Sequence, residues 1–125
     1  MNIVLDFDGT AVAHINPGVG QSIGAAPVLR ELVAKGHNLI LFTMRSGGKP
    51  LQDAVDWFGE REIPLWGIQG NPEQRGWTDS PKAYGDIIID DIAIGIPLDY
   101  DLSKSKRPFV DWVKLRKILI LKGIL

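Results

Sequence analysis

Three short apolar runs, each closed by a group capable of chemistry, constrain this chain more than any other feature. Ile3-Val4-Leu5 ends in Asp6, Leu39-Ile40-Leu41-Phe42 ends in Thr43, and Ile87-Ile88-Ile89 ends in Asp90-Asp91. Short continuous aliphatic runs fit strands buried on both faces, the pattern of a parallel sheet. Residues 63–68 supply a fourth candidate strand. Helical patterns lie between the runs. Pro27 suits a first turn, Val28, Leu29, Leu32 and Val33 form one stripe, and Gly36 marks the stop, which predicts a helix over 27–35. Leu51, Ala54, Val55 and Phe58 recur at helical spacing, and Trp112, Leu115 and Leu119 predict a helix over 108–122. Strands alternating with helices predict an α/β fold, a doubly wound, mainly parallel sheet covered on both faces. Residues 9–24 read as a glycine-rich loop with the Asn16-Pro17 turn signal, and 70–81 as irregular.

Length and composition narrow the function classes. A chain of 125 residues forms one domain, residues 1–125, with no repeat or linker. The absence of cysteine excludes a disulfide framework, a thiol nucleophile and thiolate metal sites. A net charge of -1 and a pI near 6.1 argue against an electrostatic nucleic-acid or membrane binder. No leader pattern or membrane-length apolar run is visible, so a cytoplasmic protein is expected.

Ligand sites of open α/β sheets lie beyond the carboxyl ends of the strands, where these reactive residues gather. Asp6 and Asp8 are two apart and point to one side of an extended segment. With Asp90 and Asp91 they repel one another unless a cation neutralises them. An all-oxygen set suits Mg2+, which takes a few carboxylates, waters and a substrate phosphate. Gly9 permits a tight turn whose N–H groups could face an anion, Thr43 supplies a hydroxyl, and Lys82 a cation. A calcium loop is excluded, because Thr10, Ala11 and Pro17 stand where Asp or Asn, Gly and Glu are required. Gly48-Lys49 fails as a phosphate loop, since Thr43 and Pro50 replace the required Gly and Ser or Thr. His14 and Arg45 are candidate substrate contacts, and His37 reads as solvated.

Leu5-Asp6-Phe7-Asp8-Gly9-Thr10, Thr43, Lys82 and Ile87-Ile88-Ile89-Asp90-Asp91 resemble the four ordered motifs of the haloacid dehalogenase-like phosphohydrolases. Thr43-Met44-Arg45 and Gly18-Val19-Gly20 are similar to the small enzymes of that superfamily found in phages and capsule loci, which lack a cap domain. The resemblance implies that Asp6 is the nucleophile of an aspartyl-phosphate mechanism and Asp8 the general acid and base. It implies Mg2+ held by Asp6, the Asp8 carbonyl and the acidic pair, with Asp91 the first choice as direct ligand and Asp90 supporting. Thr43, Lys82 and the backbone N–H groups from Phe7 to Gly9 and Thr10 would bind the phosphoryl group. Neither the stretch from Thr10 to Leu39 nor that from Thr43 to Lys82 holds a separate unit, so the site is expected without a cap.

The function implied is a Mg2+-dependent phosphomonoester hydrolase acting on a phosphorylated small molecule, with sugar phosphates and nucleotides foremost and nucleic acid disfavoured. Two rivals are a receiver-like phosphoacceptor domain and a non-catalytic phosphate-binding module. Receivers place the acidic pair first and the acceptor Asp next, whereas here Asp6-Phe7-Asp8 leads and Asp90-Asp91 follows Lys82. The apolar C-terminal helix offers an interface for a homo-oligomer.

Overall fold

The first apolar run forms β1 (Asn2–Leu5), and three further strands align parallel to it: β2 (Asn38–Leu41), β3 (Gly67–Ile68) and β4 (Ile87–Ile89). This is a computed structural model, and it describes residues 1–15 and 17–125; the Asn16 half of the Asn16-Pro17 turn signal lies outside the described residues. The sheet order is β3-β2-β1-β4, with Leu5 level with Leu41 on one side and Ile89 on the other. Helix α1 (Ala25–Ala34) connects β1 to β2, and α2 (Lys49–Glu60) connects β2 to β3. The expected stop of α1 is present. Gly36 has φ +92°, and the His37 N–H reaches the Leu32 carbonyl at 3.1 Å, closing the helix end.

Three expectations need correction. Residues 63–65 do not join the third strand, because the Ile63 N–H bonds back to Phe58 at the end of α2 and Pro64 has no N–H; contact with β2 begins at Trp66, whose N–H reaches the Leu39 carbonyl at 2.8 Å. The C-terminal helix α3 (Trp112–Leu121) begins later than 108, with Asp111 as its N-cap accepting the Lys114 N–H at 3.0 Å. Ahead of it, β6 (Phe109–Val110) pairs antiparallel with β5 (Leu98–Asp99), a hairpin the sequence pattern did not announce. His37 is not simply solvated: its ring meets the Met1 amino group and the Ile124 carbonyl at 3.0 and 2.7 Å, joining the two ends of the chain.

The main core explains the layering. Strand residues alternate faces, and all three helices bury their apolar stripes in the core that holds Ile3, Leu5, Leu39, Leu41 and Ile89. The chain moves outward from β1 to β3, and right-handed crossovers in one direction put α1 and α2 on one face. An Arg116–Glu31 pair at 2.8 Å ties α3 to α1 on that side. The opposite face carries Val4 and Ile40 under Ala83 and Trp66, while Ile88 is 54% exposed. The expected helical cover of both faces is therefore absent among the described residues.

The connection 70–86 crosses the second face as turns. Buried Asn71 and Gln74 organise it with side-chain bonds to the backbone of Ser80, Lys82 and Tyr84. Prolines, glycine and serine in that stretch disfavour a helix, and two polar side chains do the satisfying instead. Among the described residues the result is a Rossmann-like α/β fold with a four-stranded parallel sheet and three helices. Among the described residues no helix is long and apolar enough to cross a membrane.

Candidate metal centre

Strand order places the acidic residues together. After β3 the chain returns to the far side of β1, so β1 and β4 are neighbours at the point where strand order reverses. Asp6 follows β1 and Asp90-Asp91 follow β4, and one carboxylate oxygen from each lies within 4.8 Å of the others. The Asp6 N–H bonds to the Ile89 carbonyl at 3.0 Å, extending the ladder to the edge of the site. Burial pushes the Asp6 carboxyl up to about 7, with the charges of Asp90 and Asp91 adding to the rise and the Thr10 bond opposing it. Asp90 is also raised, by burial first and then by Asp91.

The loop after β1 is a tight turn. The Phe7 carbonyl accepts from the N–H groups of Thr10 and Ala11 at 3.1 and 2.8 Å, and the Gly9 N–H donates to Val12 at 2.7 Å. Gly9 has φ +80°, and a Cβ there would strike the His14 ring and stand 2.6 Å from Asp91 Oδ2. Glycine is thus required both by conformation and by space. The same geometry corrects one expectation: the Gly9 and Thr10 N–H groups are spent inside the turn. Those of Phe7 and Asp8 make no hydrogen bond among the described residues.

Side chains of the loop bridge the cluster. Buried Thr10 donates its hydroxyl to Asp6 Oδ2 at 2.7 Å and accepts the Asp91 N–H at 3.0 Å. His14 Nε2 stands 2.9 Å from Asp91 Oδ2, which makes it a partner of the acidic cluster as well as a residue at the cavity mouth. The hairpin and α3 hold the loop from behind: the Val110 N–H bonds to the Gly9 carbonyl at 2.9 Å, and Trp112 Nε1 to the Thr10 carbonyl at 2.7 Å.

Asp8 stands apart from the trio. Both its oxygens accept from Arg45, through Nε and Nη2, at 2.8 Å each. The same guanidinium donates to the Gly18 and Pro50 carbonyls and lies 4.9 Å above the Phe7 ring, so one side chain joins three segments. Thr43 belongs to the turn carrying Arg45. Its hydroxyl accepts the Arg45 N–H at 3.1 Å, while Gln69, past β3, bonds to Thr43 N–H and to the Thr43 and Arg45 carbonyls. Gln69 was not singled out in the sequence; its place at the carboxyl end of the third strand was the available signal. Lys82 is exposed on the connection over the second face, beside Ile88, and forms no ion pair with Asp90 or Asp91 among the described residues.

The donors of the trio fit a hard divalent cation. All are carboxylate oxygens, two of the three groups are held above their ordinary ionisation range by burial first, and a cation would offset that burial and remove the mutual repulsion that adds to it. Asp6, Asp90 and Asp91 would hold it; the carboxylate of Asp8, drawn to Arg45, would not.

Among known proteins, a solved structure of a conserved protein from Bacteroides thetaiotaomicron matches with a TM-score of 0.78 and 31% identity, over 98% of this chain and 91% of that one. The chain belongs to the family of that protein. No family model and no curated protein matches it.

Proposed function

We propose that this protein is a Mg2+-dependent phosphomonoester hydrolase of the haloacid dehalogenase-like type, without a cap domain, working through an aspartyl-phosphate. The observation that carries the reading is the meeting of Asp6, Asp90 and Asp91 at the strand-order reversal, with Asp8 and Thr10 on the same loop as Asp6. A bound Mg2+ would neutralise the trio and the charge of the phosphoryl group.

Asp6 attacks phosphorus through one carboxylate oxygen, the ester P–O bond breaks, and the leaving oxygen takes a proton from Asp8. Asp8 then takes a proton from water, whose oxygen attacks the same phosphorus and releases inorganic phosphate and free Asp6. The Thr10 hydroxyl fixes the Asp6 carboxylate through Oδ2, leaving Oδ1 for the reaction. Arg45 orients Asp8, and each Asp8 oxygen keeps a second lone pair beyond the Arg45 bonds. The Phe7 and Asp8 N–H groups and the Thr43 hydroxyl are assigned to the phosphoryl oxygens, the main source of rate in this chemistry. Substrates are phosphorylated small molecules, and the setting is cytoplasmic.

Mg2+-dependent phosphate release from p-nitrophenyl phosphate tests the reading. Activity that disappears with EDTA and in Asp6→Asn supports it; activity surviving Asp6→Asn together with Asp8→Asn overturns it.

A further inference from the structure

Beside Asp8 and His14 opens a cavity of about 1010 Å³, bordered by the loop after β1, the start of α2 and the segment 105–107 ahead of β6. Its charges are not balanced. Arg45 is paired with Asp8 and Lys49 with Asp53 at 2.9 Å, whereas Lys106 and Arg107 have no carboxylate partner among the described residues. Lys104 of the same segment turns away, its ammonium 5.9 Å from the Phe109 ring centre. The segment is a formed turn: Asp101 accepts the Ser103 N–H and hydroxyl, its carbonyl accepts the Lys104 and Ser105 N–H groups, and Ser105 Oγ accepts the Arg107 N–H. The same cavity is also lined by an apolar set, Ile15, Pro17, Pro50 and Met44, which is 97% exposed.

We propose that this cavity seats the leaving group of the substrate, and that Lys106 and Arg107 bind a second anionic group on it. The substrate class is then a phosphomonoester of nucleotide size whose apolar or planar body carries a further phosphate or carboxylate. The inference rests on the phosphohydrolase reading. Two unpaired cations at the rim of a concave site raise the local concentration of anions, and an arginine fork fits a phosphate or carboxylate through two hydrogen bonds. The apolar wall is where a base or another flat group would leave water, and the cavity is large enough for a ligand of that size. A ligand with a single phosphate would leave the basic rim unused.

The test compares p-nitrophenyl phosphate, adenosine 5′-monophosphate and adenosine 3′,5′-bisphosphate on the native protein and on Lys106→Ala/Arg107→Ala. The expected result is a preference of the native protein for the bisphosphate, and a loss in kcat/KM in the variant about tenfold larger for the bisphosphate than for p-nitrophenyl phosphate. Equal losses on all three substrates, or none, overturn the inference while leaving the hydrolase reading intact. Absence of turnover on every substrate overturns the hydrolase reading. Calorimetric titration of the bisphosphate into Asp6→Asn protein, with and without the two alanines, then decides the second site by itself. About tenfold weaker binding in the alanine variant supports it, and unchanged binding overturns it.

Discussion

Replacing Asp6 with asparagine should make the metal-free protein more stable. In the absence of a cation, three carboxylates share one site, and the Asp6 carboxyl is pushed from 3.8 up to about 7, chiefly by burial. Between those values the folded protein holds a proton that the unfolded chain has released, so stability falls as pH rises through the window. A rise of that size corresponds to about 4 kcal/mol at a pH above it, an upper bound because water and counter-ions reach the site. Asp6→Asn removes the charge yet keeps an oxygen for the Thr10 hydroxyl. The expected outcome in EDTA at about pH 8 is a variant more stable than native by ~2 kcal/mol, with a gap near zero at about pH 4. Mg2+ should reverse the order, since it binds the native trio and stabilises by mass action. Urea unfolding at both pH values, with EDTA and with Mg2+, measures all three. A variant less stable than native at both pH values, or a gap independent of pH, would refute the reasoning.

Other outcomes follow from the same geometry. Arg45→Ala breaks a part-buried bidentate pair and two carbonyl contacts, and should cost roughly 2–4 kcal/mol in urea unfolding. Arg45→Lys should not restore phosphate release, because an ammonium cannot hold both Asp8 oxygens in one plane. Gly9→Ala drives a methyl into His14 and Asp91 from a left-handed backbone; it should lower stability by about 2 kcal/mol or more and weaken Mg2+ binding measured by calorimetry. Asp8→Ala should slow turnover by about 100-fold or more and let a phospho-enzyme accumulate, seen as added mass on the intact protein.

What could be read from the sequence was local. Three of the strands announced themselves by aliphatic runs ended by acid or hydroxyl, and strand adjacency did the rest, bringing Asp6 to Asp90 and Asp91. The pairing of Asp8 with Arg45 was not legible, because the two are joined only when the turn after β2 folds beside the loop after β1. His14 showed itself as a candidate contact, but its bond to Asp91 spans most of the chain. The hairpin before α3 leaves no signal in the sequence, because two-residue strands are too short to show a period, although it supports Gly9 and Thr10. The irregular character of 70–81 was legible in its prolines and glycines; what was not legible is that this connection, organised by Asn71 and Gln74, takes the place of the helical cover expected on the second face.

The central claim is that Asp6 carries the phosphoryl group. The most direct measurement is borohydride reduction of Asp8→Ala protein quenched during turnover of p-nitrophenyl phosphate with Mg2+, followed by peptide mass spectrometry. An acyl phosphate is reduced to the alcohol, so residue 6 should appear as homoserine, and EDTA should abolish the conversion. Phosphate release with residue 6 recovered only as aspartate, or conversion at Asp90 or Asp91 instead, would contradict the account.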